Sequence, residues 1–281
     1  MKRFLVLVNP SSHGGRSGRR WRQLAEQLAE GEFVVLKSIE EARERAREAK
    51  GYETVVACGG DGTVRAVAEG VLENADAALK FGVLYAGTSP DFCRAHAIPT
   101  ESEDAIRLLR AGTTRELPVL TANGRAFFCS LNLGLGAAVA DAANRLRPKL
   151  GDGFGTFVAL VRALWRARGY AVTLNGETLE SRLHVLVTRI PLIAGGLRLA
   201  LPKLGEDEFA VWSVRQPRLW ALPNLIWRLY RGKPCGEFRV FREPVRITAA
   251  DALAVEFDGD PHGELPVEIR FADRKLKLVC P

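Results

Sequence analysis

The chain of 281 residues carries 40 Lys and Arg against 33 Asp and Glu, a net charge of +7 and a pI near 9.4, which favours an anionic partner such as a nucleotide or an acidic membrane. With 47% apolar and 26% charged residues it is an ordinary globular chain, neither disordered nor collagen-like. No apolar run reaches the ~20 residues of a membrane span, MKRFLVLVNP is too short for a secretory signal, and five scattered cysteines (58, 93, 129, 235, 280) without a CxxC predict reduced thiols in a cytoplasm.

The first 112 residues alternate strand and helix patterns. Strands are expected at 3–8, 33–37, 54–58 and 81–86, and helices at 18–30, 40–50, 63–74 and 102–112. This alternation predicts a parallel sheet with helices on both faces, whose ligands sit beyond the carboxyl ends of the strands. Three glycine- or serine-rich loops fall there, at 9–18, 58–63 and 86–91. In the second, Gly59-Gly60-Asp61-Gly62-Thr63 leaves a strand and enters a helix. Its glycines permit positive φ and close approach to the backbone, and its amides beside a helix N-terminus suit phosphate. Asp61 can orient a metal or a ribose hydroxyl, and Thr63 can donate to a phosphate oxygen. A tight capped turn would use the same residues. The first loop offers Asn9, glycines and Arg16, Arg19 and Arg20; the third offers Gly87, Thr88 and Asp91.

Past residue 113 the pattern becomes mostly antiparallel β. Hairpin turns are expected at Asn123-Gly124 and Asn175-Gly176, and strands at 207–214, 237–242, 245–249, 253–257, 266–271 and 275–279, with helical stretches at 139–168 and 218–231. The organisation is therefore an α/β domain over 1–116 and a β-rich domain over 117–281, a sandwich or distorted barrel, with the last strand free to return to the first domain. Asp258-Gly259-Asp260 lies between two alternating strands, as a hairpin turn or as the source of a general base. The four histidines show no metal-ligand spacing. The segment 218–233, with Trp220, Trp227 and Tyr230 among Arg218, Arg228, Arg231 and Lys233, reads as a core helix ended by basic residues or as a helix lying on an anionic membrane. Basic residues elsewhere are scattered without a stacking platform, which argues against nucleic acid.

These residues together resemble the diacylglycerol kinase catalytic family, bacterial lipid kinases related to sphingosine and ceramide kinases. The resemblance covers nearly the whole chain. The family's Gly-Gly-Asp-Gly-Thr matches Gly59–Thr63, its early Asn-Pro matches Asn9-Pro10 with Gly14, and a threonine that contacts nucleotide corresponds to Ser38. Its Gly-Thr-Gly-Asn-Asp-Phe-Ala-Arg appears as Gly87-Thr88-Ser89-Pro90-Asp91-Phe92-Cys93-Arg94, and its Asn-x-Gly-x-Gly as Asn132, Gly134 and Gly136. The stretch 191–214 resembles one that holds a structural Mg²⁺, which implies Leu204, Asp207 and Phe209 as ligand positions. The late Asp-Gly-Glu, whose glutamate is the general base, reads Asp258-Gly259-Asp260 here.

The resemblance implies a nucleotide domain followed by a β-rich domain with the active site in the cleft between them. It also implies ATP and Mg²⁺ bound by Asn9, Ser38, Gly59, Gly60, Asp61, Gly62, Thr63, Gly87 and Thr88, with Asp260 and Asp61 catalytic. The expected activity is transfer of the γ-phosphoryl group to diacylglycerol or a related lipid, in phospholipid metabolism. The expected setting is a cytoplasmic protein, peripheral at the inner membrane face, with a second copy of the chain as a candidate partner in a homodimer. NAD kinase, which shares Gly-Gly-Asp-Gly-Thr, and a non-catalytic nucleotide-binding homologue are the competing readings. The chain departs from the pattern at Ser89-Pro90, at Glu208 in place of glycine, and at Asp260, one methylene shorter than glutamate.

Overall fold

The computed structural model describes residues 3–12, 17–87, 89–134, 168–193 and 197–281, with isolated positions between 135 and 167. The chain divides into two compact units, residues 1–119 with 272–281, and residues 120–193 with 197–271.

The first unit runs β1 (Phe4–Val8), α1 (Ser17–Gln27), β2 (Gly31–Val35), α2 (Ile39–Glu48), β3 (Thr54–Gly59), α3 (Asp61–Glu73), β4 (Lys80–Tyr85), α4 (Asp91–Ala95), α5 (Ser102–Ala111) and β5 (Thr114–Leu117). Its six-stranded sheet has the order β2-β1-β3-β4-β19-β5, where β19 (Leu276–Val279) pairs parallel to β4 and antiparallel to β5. β1 to β4 are parallel throughout. β1 and β3 are buried at every residue, the pattern of strands covered on both faces. Leu24 of α1 and Leu28 just past its end, with Ile106 and Leu109 of α5, join Phe4, Val6, Val8, Val56, Cys58 and Leu84 in one core cluster.

Two boundaries differ from the sequence reading for local reasons. β2 begins opposite Phe4 at Gly31 and stops at Val35, and the Lys37 amide turns to the Glu41 carboxylate at 2.7 Å. With the Glu41 amide donating to Ser38 Oγ at 3.2 Å, this makes a reciprocal capping box that starts α2. α3 starts at Asp61, two residues before the expected Thr63, because extended Gly60 is its N-cap. The five-residue α4 falls where only a loop was expected.

The second unit contains β6 (Leu120–Ala122), β7 (Arg125–Phe127), β8 (Ser130–Gly134), β9 (Tyr170–Leu174), β10 (Glu177–Thr188), β11 (Leu192–Ile193), β12 (Leu197–Arg198), β13 (Phe209–Arg215), α6 (Leu222–Tyr230), β14 (Glu237–Phe241), β15 (Val245–Thr248), β16 (Ala254–Phe257), β17 (Asp260–Glu264) and β18 (Val267–Phe271). The pairing of its main sheet is antiparallel and centres on β10, which bonds β8, β9 and β13. Alternate residues of β8, β10, β13, β15, β16 and β18 meet in one apolar cluster that includes Leu131, Leu133, Val185, Val187, Phe209, Ile247, Val255, Phe257 and Ile269. The two Asn-Gly hairpins form with both residues at positive φ, as their composition dictates. The helical stretch expected at 139–168 lies outside the fully described residues.

Candidate active site

In the first unit the candidate nucleotide residues collect beyond the carboxyl ends of β1 to β4. Asn9 follows β1, and its Nδ2 donates to Thr63 Oγ1 at 2.9 Å, while its Oδ1 accepts the Ser11 amide at 3.0 Å. Ser12 Oγ accepts the Gly60 amide at 3.2 Å. The loop after β1 is thereby tied to the start of α3. Gly14 and Arg16, the side chains of Arg19 and Arg20, Thr88 and Gly136 lie outside the described residues.

None of Gly59, Gly60, Gly62 and Gly87 has a positive φ. The glycines answer to close approach instead. A Cβ on Gly59 would stand 2.5 Å from Thr63 Oγ1, and one on Gly87 2.7 Å from the Gly60 Cα and 2.5 Å from the Tyr85 hydroxyl. The chain itself is what comes close: the loops after β3 and β4 touch backbone to backbone, with Ala86 N–H on the Gly59 carbonyl at 2.7 Å. Gly60 is the N-cap of α3 and has no side chain to bond the first-turn amides, and the dipole of this helix N-terminus suits an anion.

Tyr85 was not singled out from sequence, although it directly precedes the third loop. Its hydroxyl donates to Asp61 Oδ2 at 2.7 Å and accepts the Ser89 amide at 3.0 Å. Burial, and then the Asp61 charge and hydrogen bond, raise its pKa far above the usual phenol value. It therefore stays a donor to the carboxylate. The Ser89 amide is committed to Tyr85 and Pro90 has none, so neither position offers an amide to phosphate; of the two departures from Gly-Asn only the proline itself removes a donor. Ser38 also follows its strand at this edge, with its hydroxyl engaged in the α2 cap.

In the second unit the turn Asp258-Gly259 has both residues at positive φ and pairs Phe257 with Asp260. The two aspartates are placed differently. The Asp258 carboxylate accepts the amides of Phe128, Cys129 and Ser130 at 2.8, 2.7 and 2.9 Å, which fastens this turn to the β7–β8 turn. Asp260 opens β17 half-buried. Two residues before Asp258, Glu256 pairs with Pro261 on one side and stands opposite Asn132 on the other, and the Asn132 Nδ2 donates to Glu256 Oε1 at 3.3 Å and to Ser130 Oγ at 3.0 Å. Burial pushes the Glu256 carboxyl up to about 7, and the charges of Asp258 and Asp260 push it the same way. Glu256 is a polar site residue that the sequence reading missed; its partner Asn132 is 124 positions away.

The implied structural Mg²⁺ positions lie in the loop before β13. There the Arg189 guanidinium donates to the carbonyls of Gly205 at 3.0 Å and Glu206 at 2.6 Å. Arg242 pairs Glu208 at 2.7 Å and lies 4.0 Å from the exposed Asp207, while Glu208 accepts the Gly205 amide at 2.8 Å. Phe209 is buried in the core. Arg189 and Arg242 thus hold oxygens of Gly205, Glu206 and Glu208 and stand beside Asp207, a concentration of positive charge that disfavours a divalent ion at Leu204, Asp207 and Phe209. Among the described residues no group of three His, Cys, Asp or Glu has a metal-binding arrangement.

Residues 3–122 match the family model of the diacylglycerol kinase catalytic domain. Over its whole length the chain is 22% identical to a diacylglycerol kinase of Staphylococcus carnosus strain TM300 and 23% identical to one of Staphylococcus aureus strain MRSA252, covering 95% and 93% of those proteins. The fold is that of a diacylglycerol kinase from Bacillus anthracis str. Sterne, with a TM-score of 0.79 at 19% identity, covering all of this chain and 97% of that one. The resemblance to diacylglycerol kinases thus holds in the α/β sequence, along the full chain and in the fold: an α/β domain with a parallel sheet, then a mostly antiparallel β domain.

Proposed function

We propose that this relative of the diacylglycerol kinases transfers the γ-phosphoryl group of ATP to the hydroxyl of diacylglycerol or a related lipid. A kinase with an alcohol group as acceptor is what its match to that family supports. ATP as donor and the lipid as acceptor are the further steps of the proposal.

The observation that carries it is the joined pair of loops after β3 and β4. The Gly60–Gly87 approach, the Tyr85–Asp61 hydrogen bond and the positive end of the α3 dipole form a phosphate cradle without a Walker lysine. Asn9, Gly59, Gly60, Gly62, Thr63, Gly87 and Thr88 are its contact residues, and Ser38 borders it. Mg²⁺ arriving on the phosphates would neutralise their charge, with the Asp61 carboxylate, an oxygen donor fixed by Tyr85, as its partner. Asp258 is spoken for by three amides, so Asp260 is the carboxylate of that turn assigned to accept the proton of the acceptor hydroxyl as the phosphoryl group moves in line. A protein of this activity works as a peripheral visitor to a membrane face.

The test is a single reaction mixture holding ATP, Mg²⁺, dispersed diacylglycerol and NAD. Phosphatidic acid as the product supports the proposal. Phosphorylation of NAD alone would replace it with the NAD kinase reading, and ATP binding with no product would make the chain a non-catalytic homologue.

A further inference from the structure

The outer side of α6 carries large aromatic side chains where a soluble helix carries polar ones. Leu222, Leu225, Ile226 and Leu229 pack one side of the helix against Leu183, Leu186, Leu199 and Trp212. On the exposed side Trp227 and Tyr230 are 52% and 68% open to solvent, and Trp220, in the 3₁₀ turn leading in, is 77% open. These are three of the five large hydrophobic residues exposed among the described ones. The helix cannot roll to hide them, because its other side is already used and its end is closed by Gly232 N–H on Leu229 O and Lys233 N–H on Arg228 O.

Along the segment that carries this face the charge has one sign. From Arg215 to Gly236 there is no Asp or Glu, and Arg215, Arg218, Arg228, Arg231 and Lys233 are basic. Cations at the C-terminal turn complement the helix dipole, but Arg215 and Arg218 precede the helix, where the dipole disfavours them. Indole and phenol rings flanked by guanidinium groups match the headgroup level of a bilayer, where a ring has both an apolar and a wet side.

We infer that Trp220, Trp227 and Tyr230, with the surrounding arginines, form a docking surface for an anionic lipid bilayer. The inference rests on the lipid-kinase reading for why a membrane is met, and on the charge complementarity and exposed rings for where.

The test is co-sedimentation with sucrose-loaded vesicles, one set of equal phosphatidylglycerol and phosphatidylcholine, the other of phosphatidylcholine alone. The wild type is expected to bind the anionic set at least ~10-fold more strongly, and Trp220→Ala/Trp227→Ala and Arg228→Gln/Arg231→Gln each to lose ~10-fold with unchanged melting temperature. Equal binding to both vesicle sets, or variants that bind as the wild type does, would overturn the inference. So would a wild-type dimer that the aromatic variant turns into a monomer, since the face would then serve a second copy.

Turnover of monomerically dispersed dioctanoylglycerol separates this inference from the kinase reading. Variants that keep this turnover yet lose activity on vesicles uphold the docking face. Vesicle binding by a chain that phosphorylates no lipid upholds the face and removes the kinase reading.

Discussion

Tyr85 donates its hydroxyl to the Asp61 carboxylate at 2.7 Å and so joins the end of one parallel strand to the helix that follows its neighbour. The same oxygen holds the Ser89 amide. One phenol thereby sets the spacing of the two loops proposed to hold the nucleotide. Tyr85→Phe keeps the ring and loses both hydrogen bonds, and the expected result is a rise of about tenfold in the Kd for ATP. Titration calorimetry checks it; an unchanged Kd would remove these loops from the nucleotide site.

Gly87→Ala tests the same geometry by crowding. The new methyl would meet the Gly60 Cα at 2.7 Å, so the loops after β3 and β4 must part. ATP affinity is expected to fall by two orders of magnitude or more, and stability by about 1–3 kcal/mol, the usual range for overpacking. Gly124→Ala, where a Cβ meets nothing within 4 Å but the backbone is left-handed at φ +80°, should cost stability and leave ATP affinity unchanged, which separates a strained glycine outside the site from one inside it.

Glu256 gives the fold a pH dependence whose direction is fixed. Its carboxyl is raised from 4.5 to about 7 in the folded chain, chiefly by burial, so the folded state prefers the proton. That contribution is complete below about pH 4.5, is lost as pH rises to about 7, and amounts to roughly 3 kcal/mol. Denaturation across pH 4.5–8 should therefore show the wild type falling relative to Glu256→Gln through this window and level above it. Parallel curves would mean that Glu256 is not held protonated.

The loop before β13 predicts indifference to chelation. Arg189 and Arg242 hold it through Gly205, Glu206 and Glu208, so EDTA and added Mg²⁺ should leave the melting temperature of the ligand-free protein within about one degree. Arg189→Met should lower it by several degrees, with no recovery in Mg²⁺. Stabilisation of the wild type by Mg²⁺ without nucleotide would show that a metal binds after all.

Much of this was legible because the signals are local. Apolar runs such as FLVLV and TVVAC announce buried parallel strands, and two Asn-Gly pairs announce hairpins with the required backbone. Gly59–Thr63 was visible as a candidate site, and close approach as one reason for its glycines, but not that the approaching group is the chain itself. Their need arises from contact with Gly87 and Thr63, a matter of packing and not of φ. Glu256 was hidden because its role depends on facing Asn132 across two strands distant in sequence. The hold of Arg189 on two carbonyls was hidden for the same reason: backbone acceptors leave no trace in residue type. Asp258 and Asp260 look alike in sequence, and only the amides of residues 128–130 tell them apart.

The deciding measurement is transfer of labelled γ-phosphate from ATP to diacylglycerol by the wild type and Asp260→Asn. The wild type is expected to yield labelled phosphatidic acid and the variant to lose about 10²-fold or more of it, with ATP affinity and melting temperature retained. Undiminished labelling by Asp260→Asn would contradict the role of Asp260, and no labelled lipid from a wild type that binds ATP would contradict the lipid-kinase assignment.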